Sequence, residues 1–435
     1  MENIIVIGGG LMGTSVTWKL AEQGEKVLLL EQQGKDYDNG SSYGAARISR
    51  SLGPKKDVFS FVHNRTVKEV EKLIHFLNKE KIGGKHQMED IYSTSPVSYL
   101  FKKEQYEQIN QFRYKKQRYD YKRGSGSSAF RKFGVTLKPD EVLVREYRKH
   151  SGTINPGGLI QKLRLGIAEK GGNIKFNTKV VSLIKKEGVF EVTILNTKTN
   201  KTKTISAKKV VVAAGPYTVS VLKQFAPYFN RIITPKRVLL AYYKIADKRF
   251  EEFSEIEKKS IFAAQPMFSQ IGKEYFSMIE KLEEDGAPII KAGFHKVRRN
   301  ILDLDKVWDL APRKKEIKKI KKQFRKYFEM LEIFLKKKEI ELVDAYNCVY
   351  SETRTHVPLV THIKNKYGSL DRDIVVIGGM SGVGAKGCLG YGTIGANLIT
   401  GKEGESSKIY RRAIRAFGSP GTRLQTRRIR RGRLF

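Results

Sequence analysis

The glycine-rich run GGGLMG at residues 8–13 constrains the fold more than any other feature of the chain. It follows a short apolar, β-branched segment at residues 3–7, which is typical of a buried parallel strand. It precedes a predicted helix at residues 14–23, and a second apolar run at residues 27–30 ends in Glu31. A strand, a glycine turn, a helix and a second strand ending in an acid predict a βαβ unit that binds a dinucleotide.

Each of these positions has a predicted task. Gly8 permits the tight turn, Gly10 lets the backbone approach a pyrophosphate, and Gly13 lets the helix pack closely on the strand. The helix N-terminus offers N–H donors and a positive partial charge to the phosphates. Glu31 can accept hydrogen bonds from both ribose hydroxyls, and its charge disfavours a 2′-phosphate.

Two later segments repeat the pattern of a strand followed by small residues. Residues 209–216 end in Ala-Ala-Gly-Pro, and residues 374–384 carry four glycines after an apolar strand. Small residues at a strand end let a cofactor approach the backbone. Residues 172–181 are predicted to form a strand that runs into a turn. The cofactor domain therefore draws on the beginning, middle and end of the chain, which favours FAD over NAD.

These elements resemble the monomeric sarcosine oxidase and N-methyltryptophan oxidase family, which belongs to the D-amino-acid-oxidase-like flavoproteins. The resemblance runs in order from residue 1 to about residue 402, with weaker agreement at 85–150 and 240–340. It rests further on the motifs NGSSYGAARISR at 39–50, SGTINP at 151–156, KAGFH at 291–295, NCVYS at 347–351 and GMSGVGAK at 379–386.

The resemblance implies an α/β fold in which a Rossmann-like FAD-binding domain is joined to an α+β substrate domain with a mostly antiparallel sheet. The FAD-binding domain is expected from residues 1–85, 150–225 and 345–402, and the substrate domain from 86–149 and 226–344. Residues 403–435 are rich in arginine, and we expect them to form a disordered basic tail.

The same resemblance implies that Cys348 holds FAD covalently through the flavin 8α-methyl group. Nearby cations would lower the pKa of such a thiol. The alternative is that Cys348 is a buried small hydrophobic residue, the usual fate of a free cysteine. Cys388 is expected to be structural.

Lys291 matches a lysine that lies over the flavin and speeds the reaction with oxygen, although a lysine in so basic a chain could also lie on the surface. Arg50 and Lys386 match the pair that binds the substrate carboxylate, since guanidinium and ammonium groups both suit that anion. Arg47 is expected to lie against the flavin ring. His295 either lines the substrate cavity or is a satisfied strand histidine.

Tyr350 matches a tyrosine of the pocket, and Tyr43 stands where the family often has a histidine. The expected catalytic residues are Arg47, Arg50, Lys291, His295, Tyr350 and Lys386. The expected cofactor-binding residues are Gly8, Gly10, Leu11, Met12, Gly13, Glu31, Ser41, Ser42, Arg47, Val180, Ala214, Gly215, Cys348, Gly379, Gly382, Gly384 and Lys386.

The implied reaction is oxidation of the C–N bond of a small amino-acid-like amine, N-methylated or secondary, with oxygen as acceptor and hydrogen peroxide as product. Two alternatives stay open. One is a flavin dehydrogenase or RNA-modifying flavoenzyme that uses another acceptor. The other is a non-catalytic basic protein that keeps the nucleotide-binding fold and binds RNA.

Charge bears on those alternatives, because 83 Lys and Arg face 45 acids for a net charge of +38. A basic field attracts phosphate, but lysines scattered as in residues 314–322 equally describe a solvated surface. Residues 101–123, where aromatics alternate with cations, are the best local candidate for a polyanion patch; alternatively, these aromatics pack one side of a helix. The sequence shows no metal-binding motif, and we expect a cytoplasmic monomer with no membrane partner.

Overall fold

A computed structural model describes most of the chain. The described residues are 1–36, 40–42, 44–50, 58–107, 121–147, 151–284, 286–301, 303–402, 404 and 406–418. Tyr43, at the position where the family often has a histidine, and most of the proposed polyanion patch lie outside these residues.

The strands, in chain order, are β1 Glu2–Ile7, β2 Val27–Leu30, β3 Arg47–Ser49, β4 Tyr92–Thr94, β5 Val97–Lys102, β6 Tyr121–Ser125, β7 Glu141–Glu146, β8 Gly152–Ile154, β9 Asn173–Lys175, β10 Thr178–Lys186, β11 Val189–Asn196, β12 Thr202–Val212, β13 Ile233–Ile245, β14 Met267–Ser269, β15 Tyr275–Lys281, β16 Ile289–Phe294, β17 Arg299–Asn300, β18 Ile340–Thr353, β19 Leu359–Lys364 and β20 Leu370–Gly378. The α-helices are α1 Leu11–Glu22, α2 Val58–Lys79, α3 Ser127–Phe133, α4 Pro156–Glu169, α5 Thr218–Val221, α6 Asp247–Glu251, α7 Glu255–Ala263, α8 Lys314–Glu329, α9 Cys388–Thr400 and α10 Lys408–Gly418.

The first sheet has eight strands and a parallel centre. β1 pairs in parallel with β2 on one side and β12 on the other, β2 pairs with β9, and β12 pairs with β20. β10, β11 and β19 add antiparallel pairs at its margins. Because parallel strands point the same way, the carboxyl ends of β1, β2, β12 and β20 meet at one edge, where such sheets bind ligands.

The apolar run of β1 is buried on both faces of this sheet. Ile4 and Val6 pack in one cluster with α1 and α9, while Ile5 and Ile7 pack in another with β11 and β12. Side chains that alternate along a strand point to opposite faces, so a β-branched run without polar residues fits a central parallel strand. Helix α9 can lie close to α1 because Gly392 meets the backbone of Ser15.

The second sheet has nine strands and is mostly antiparallel, with β14 and β5 as its parallel pair. Its long strands β13 and β18 pair from Ile233 opposite Thr353 to Ile245 opposite Ile340. The predicted fold class, α/β with a second part built on a mostly antiparallel sheet, is confirmed.

One predicted boundary falls within a long strand. Residues 345–353, expected in the FAD-binding domain, continue the antiparallel strand β18. Pairing along the whole of β13 keeps these residues in the second sheet, so that a single strand runs from this sheet to the cofactor side.

The end of the described chain corrects a second expectation. Residues 408–418 of the predicted disordered tail form helix α10. Tyr410, Ala413 and Phe417 recur at helical spacing and are buried with α2 in the same core as β1. An amphipathic apolar stripe therefore outweighs the basic composition over these residues.

The lysine-rich helix α8 buries its apolar side chains and exposes most of its lysines. In α8, Ile320 and Phe324 are buried, whereas the lysines at 314, 315, 318, 319, 322 and 326 are exposed. Phe101 and Tyr106, from the proposed polyanion patch, pack in the core with their ring centroids 6.2 Å apart.

Within the described residues, none of the helices has the length and apolar character needed to cross a bilayer.

Candidate active site

The turn after β1 brings backbone into close contact with backbone. Gly8 has a φ of +103°, and its N–H donates to the carbonyl of Leu30 at 2.8 Å. A Cβ on Gly8 would lie 2.7 Å from the carbonyl oxygen of Ala213, and a Cβ on Gly13 would lie 1.6 Å from that of Gly8. Gly13 therefore serves the packing of α1 on the turn, as predicted for the third glycine of the motif.

Side chains from later segments hold this turn in place. The Glu31 carboxylate accepts hydrogen bonds from the N–H of Gly9 at 2.6 Å and of Gln33 at 2.8 Å. Ser42 Oγ accepts from the N–H of Leu11 at 3.1 Å, in the first turn of α1. Glu31 and Ser42 thus accept hydrogen bonds from backbone N–H groups just before and at the start of α1, whose N-terminus carries a positive partial charge.

A cavity of about 280 Å³ lies at the carboxyl edge of the parallel sheet. The predicted cofactor-binding residues that line it are Gly8, Gly10, Leu11, Met12, Glu31, Ser41, Ser42, Arg47, Val180, Ala214, Gly215, Cys348, Gly382 and Gly384. We call it the cofactor cavity.

The other three predicted cofactor-binding residues lie outside that lining. Gly13 packs against Gly8, and Lys386 lines a neighbouring cavity described below. Gly379 has a φ of +61°, and a Cβ there would lie 2.3 Å from Thr353 Cγ2. Gly379 therefore shapes the turn after β20 rather than the cavity wall.

Sequence reasoning missed one wall of the cofactor cavity. Trp308 and Tyr217 line it, and the indole N–H of Trp308 donates to the Tyr217 hydroxyl at 3.2 Å. Trp308 lies in a segment that agrees weakly with the resembled family, so no motif marked it. A lone tryptophan in a polar segment was the available signal.

A second cavity of about 90 Å³ adjoins the first, and we call it the substrate cavity. It is lined by all six predicted catalytic residues, which are Arg47, Arg50, Lys291, His295, Tyr350 and Lys386. Apolar side chains complete its wall, among them Leu240, Phe268, Phe276 and Met278. The residues that line both cavities are Arg47, Cys348, Tyr350, Gly382 and Ala385.

Four separate parts of the fold meet at this junction. Arg47 lies on β3, Lys291 on β16, Cys348 and Tyr350 on β18, and Lys386 in the turn before α9. Sequence spacing could not place these elements side by side, because the approach depends on pairing between distant strands. In the folded chain, the six predicted catalytic residues all line the substrate cavity.

Arg50 is held in an aromatic and acidic setting. Its guanidinium lies 4.1 Å from the ring centroid of Phe268 and 5.5 Å from that of Tyr99. Tyr99 in turn donates its hydroxyl proton to Glu146 at 2.7 Å. Burial lowers the pKa of Arg50, against the raising effect of Tyr99 and Glu146. Arg50 is thus a desolvated cation, which binds a carboxylate more strongly than an exposed one.

Lys291 is 1% exposed and faces the Arg47 side of the cavity. Its Nζ donates to the carbonyl of Ala46 at 2.5 Å and contacts the carboxylate of Glu280. Burial, followed by repulsion from Arg47, lowers the pKa of Lys291 to about 7, although Glu280 acts in the opposite direction. The alternative of a surface lysine is excluded.

Arg47, unlike Lys291, has a pKa above its ordinary value. Burial opposes that charge, but Tyr346, Cys348 and Glu280 together raise the pKa of Arg47. Its guanidinium also donates to the backbone carbonyl of Ala46 at 2.9 Å. Arg47 therefore stays a cation at the junction of the two cavities.

The thiol of Cys348 behaves differently from the prediction. Cys348 is 3% exposed, and burial raises its pKa although Arg47 and Lys291 pull it down. The expected lowering is wrong for this setting, because the loss of solvent outweighs the two cations. Cys388 is fully buried among apolar residues, and burial raises its pKa to about 11.

His295 lies between aromatic and cationic neighbours. Its ring centroid is 5.8 Å from that of Phe268 and 5.7 Å from that of Tyr350, and Arg298 lies 3.2 Å from its Nε2. Burial, with repulsion from Arg298 and Arg50, holds the pKa of His295 well below its usual value. It lines the substrate cavity as a neutral imidazole near pH 7.

The residues of the cofactor cavity fit a dinucleotide. A Cβ on Gly382 would lie 2.6 Å from the Tyr350 ring, and a Cβ on Gly10 would lie 3.2 Å from Ser42 Oγ, so glycines keep this cradle open. The N-terminus of α1 suits a pyrophosphate and Glu31 suits a ribose. No group of three or more potential metal-ligating His, Cys, Asp or Glu side chains occurs in the described part of the chain.

Fold and site together define a flavin-dependent oxidoreductase. The family described as DAO, FAD dependent oxidoreductase, matches residues 3–398, and the chain belongs to it.

Individual relatives are more distant. A probable sarcosine oxidase of Arabidopsis thaliana is 24% identical over 413 residues, which cover 91% of this chain and 87% of that protein. The open form of NikD, described as an unusual amino acid oxidase essential for nikkomycin biosynthesis, superposes with a TM-score of 0.68 at 18% identity and covers 94% of this chain and 96% of its own. A glycine oxidase from Bacillus cereus gives a TM-score of 0.65 at 16% identity and covers 93% and 96% of the two chains.

Proposed function

We propose that the chain oxidises the C–N bond of a small amino-acid-like amine, N-methylated or secondary, with oxygen as acceptor and hydrogen peroxide as product. The observation that carries this proposal is the junction of the two cavities, where Arg50, Lys291 and Lys386 surround a small space beside the cofactor cavity. The names of the Arabidopsis and Bacillus relatives, a probable sarcosine oxidase and a glycine oxidase, support the same class of substrate.

The shape and charge of the substrate cavity support a small carboxylated substrate. Arg50 and Lys386 provide two buried cations for a carboxylate, and Arg50 can bind it with two parallel hydrogen bonds. The apolar wall formed by Leu240, Phe276 and Met278 suits the carbon skeleton and excludes water from the reacting C–H bond.

The remaining side chains orient the amine and prepare its oxidation. His295, neutral near pH 7, does not repel a protonated amine. Holding the amine and its C–H bond in one orientation contributes much of the rate by proximity. FAD, held by the residues of the cofactor cavity, would supply the two-electron acceptor that links amine oxidation to the reduction of oxygen. Lys291, in its protonated form, is placed to stabilise the negative charge that develops on oxygen.

We further propose that Cys348 holds FAD covalently through the flavin 8α-methyl group. The supporting observation is that Cys348 lines both cavities, with Arg47 and Lys291 as the cations that favour its thiolate. The Ser41 hydroxyl donates to the carbonyl of the next residue, Val349, at 2.5 Å and steadies this part of β18.

We also propose that the protein acts as a cytoplasmic monomer. One chain supplies the lining of both cavities, and neither cysteine takes part in a disulfide, which is typical of a reducing compartment. Light scattering coupled to size-exclusion chromatography tests the monomer, and a stable dimer would overturn it.

Peroxide release under air tests the oxidase. The purified protein is supplied with sarcosine, other N-methylated amino acids, glycine or proline, and peroxide is measured with a peroxidase-coupled dye. We expect turnover with at least one carboxylated amine. A flavin that is reduced by substrate under anaerobic conditions but does not react with oxygen would instead indicate a dehydrogenase. A colourless protein with salt-dependent RNA affinity would refute both.

A further inference from the structure

Glu280, near the end of β15, is a partly buried carboxylate that neither the motifs nor the mechanism above uses. Its side chain is 10% exposed. Its carboxylate accepts hydrogen bonds from the N–H groups of Ala45 at 2.6 Å and Ala46 at 3.1 Å, and it contacts Lys291 Nζ. Three donors from two separate elements therefore converge on one carboxylate, which is the arrangement that stabilises a buried anion.

Strand pairing explains how Glu280 reaches this place. β15 and β16 are antiparallel neighbours, with Met278 opposite Lys291, and the register shifts between Ile279 and Lys281. The irregularity falls at Glu280 and re-aims its side chain, as β-bulges commonly do near functional sites. Glu280 itself is absent from the linings of the cofactor and substrate cavities, so it acts through other residues.

Side chains from four strands surround Lys291. Glu280 faces it from β15, Arg47 from β3, Cys348 from β18 and Tyr242 from β13, where the ring centroid lies 5.7 Å from Nζ. Arg47 is a second, partly buried cation, and two cations close together destabilise each other. Glu280 is the carboxylate that offsets this repulsion, and it favours the charged form of Lys291 and of Arg47 alike.

The same carboxylate also fixes the backbone that carries Arg47. Ala45 and Ala46 immediately precede Arg47, and Ala46 accepts a hydrogen bond from Lys291 through its carbonyl. Gly44, one residue earlier, has a φ of +95°, and a Cβ there would lie 2.8 Å from Glu280. The backbone thus passes close to the carboxylate in a conformation that favours glycine.

We infer that Glu280 is a positioning residue that favours the protonated form of Lys291 and fixes the backbone that presents Arg47 to the cofactor cavity. This inference rests on the proposed function only for its consequence, the reaction with oxygen. The role of Glu280 toward Lys291 and toward the backbone before Arg47 is supported by the contacts, burial and charges of these residues.

The test is Glu280→Gln, which keeps the size of the side chain and removes its charge. The rate of reoxidation of the reduced flavin by oxygen is measured from pH 5 to 9 by stopped flow. An opposite charge within hydrogen-bonding distance shifts a pKa by about 1–3 units, so we expect the midpoint of the pH profile to move to lower pH by about that amount. A midpoint that stays at its wild-type value would overturn the inference.

A second readout does not depend on activity. The lysine side chains of the purified full-length protein are labelled with ¹³C at Cε, and the Lys291 signal is assigned by its absence in Lys291→Met. Its titration midpoint should also move to lower pH in Glu280→Gln. If wild type makes no peroxide but this shift is seen, the oxidase proposal fails and the role of Glu280 stands.

Two further variants separate charge from loss of a buried contact. Glu316 is a buried carboxylate paired with Arg237 at 2.6 Å and Arg299 at 2.9 Å, outside the linings of both cavities. Glu316→Gln should leave both midpoints unchanged. Glu280→Asp keeps the charge but withdraws it by one methylene, so its midpoints should move less than those of Glu280→Gln. An equal shift in Glu280→Asp would contradict a role for the charge.

Discussion

Replacing Lys291 by Met removes a buried amine while keeping most of the side-chain volume. The pKa of Lys291 is lowered from an ordinary 10.5 to about 7 by burial and by Arg47. Between these two values the unfolded chain binds a proton that the folded chain lacks. Since the folded-state pKa is the lower one, the stability of wild type relative to Lys291→Met must rise as pH increases from 7 toward 10, and it is lowest below pH 7.

The size of this effect follows from the pKa difference. One proton bound only by the unfolded chain changes the free energy of unfolding by about 1.4 kcal/mol per pH unit. Because Lys291 is still partly protonated at pH 7 in the folded chain, the gain is about 2 kcal/mol between pH 7 and 9. Other groups titrate in both proteins, and their contributions largely cancel in the difference.

The assay is urea unfolding at pH 7, 8 and 9, followed by circular dichroism. Both proteins carry Cys348→Ser and are stripped of flavin, so that cofactor binding does not alter the free energy. The exposed residue Lys315 provides the control, because Lys315→Met should give a difference that does not change with pH. A Lys291→Met difference that is equally constant would refute a lowered pKa at this site.

Two other substitutions test the two cavities. Arg50→Met should raise KM for carboxylated amines about 10- to 100-fold, which is the equivalent of losing one charge-assisted hydrogen bond of about 1.5–3 kcal/mol. The KM for amines without a carboxylate should not change. An equal effect on both substrate types would contradict carboxylate binding. Gly13→Ala places a Cβ 1.6 Å from the carbonyl oxygen of Gly8, and it should cost about 1–3 kcal/mol of stability by overpacking and reduce the bound FAD measured by absorbance. Gly157→Ala is the control, since its Cβ would meet its nearest neighbour at 3.6 Å, and a normal flavin content in Gly13→Ala would exclude the close packing described here.

Local sequence signals predicted the parts of the fold that depend on neighbours in the chain. The glycines at 8, 10 and 13 are required by a turn and a helix start within a few residues, so their spacing alone indicates the geometry. The apolar run of β1 likewise indicates a strand buried on both faces. The predicted catalytic residues came instead from the resemblance, and the structure brings them to one cavity.

Residues whose position depends on distant pairing could not be predicted. Glu280 is an ordinary glutamate in sequence, and only the register between β15 and β16 brings it to Lys291. Trp308 reaches the cofactor cavity from a segment with no recognisable motif. The pKa of Cys348 depended on the balance of burial against two cations, and a sequence does not reveal that balance.

Helix α10 shows the opposite case, in which a signal was present but outweighed. Residues 410, 413 and 417 follow a helical period, yet the surrounding arginines indicated a disordered segment. Burial of Tyr410 and Phe417 against the core of the parallel sheet decides in favour of a helix. Apolar spacing was the better guide than net charge.

The flavin content of acid-precipitated protein tests the central claim most directly, namely that the cofactor cavity holds one FAD attached to Cys348. The full chain is precipitated with acid, and the flavin absorbance of the pellet and of the supernatant is compared with that of Cys348→Ser. We expect one flavin per chain in the wild-type pellet and a flavin that moves to the supernatant in the variant. Flavin in the supernatant for both proteins would contradict the covalent link, and a colourless protein that takes up no FAD would contradict the account as a whole.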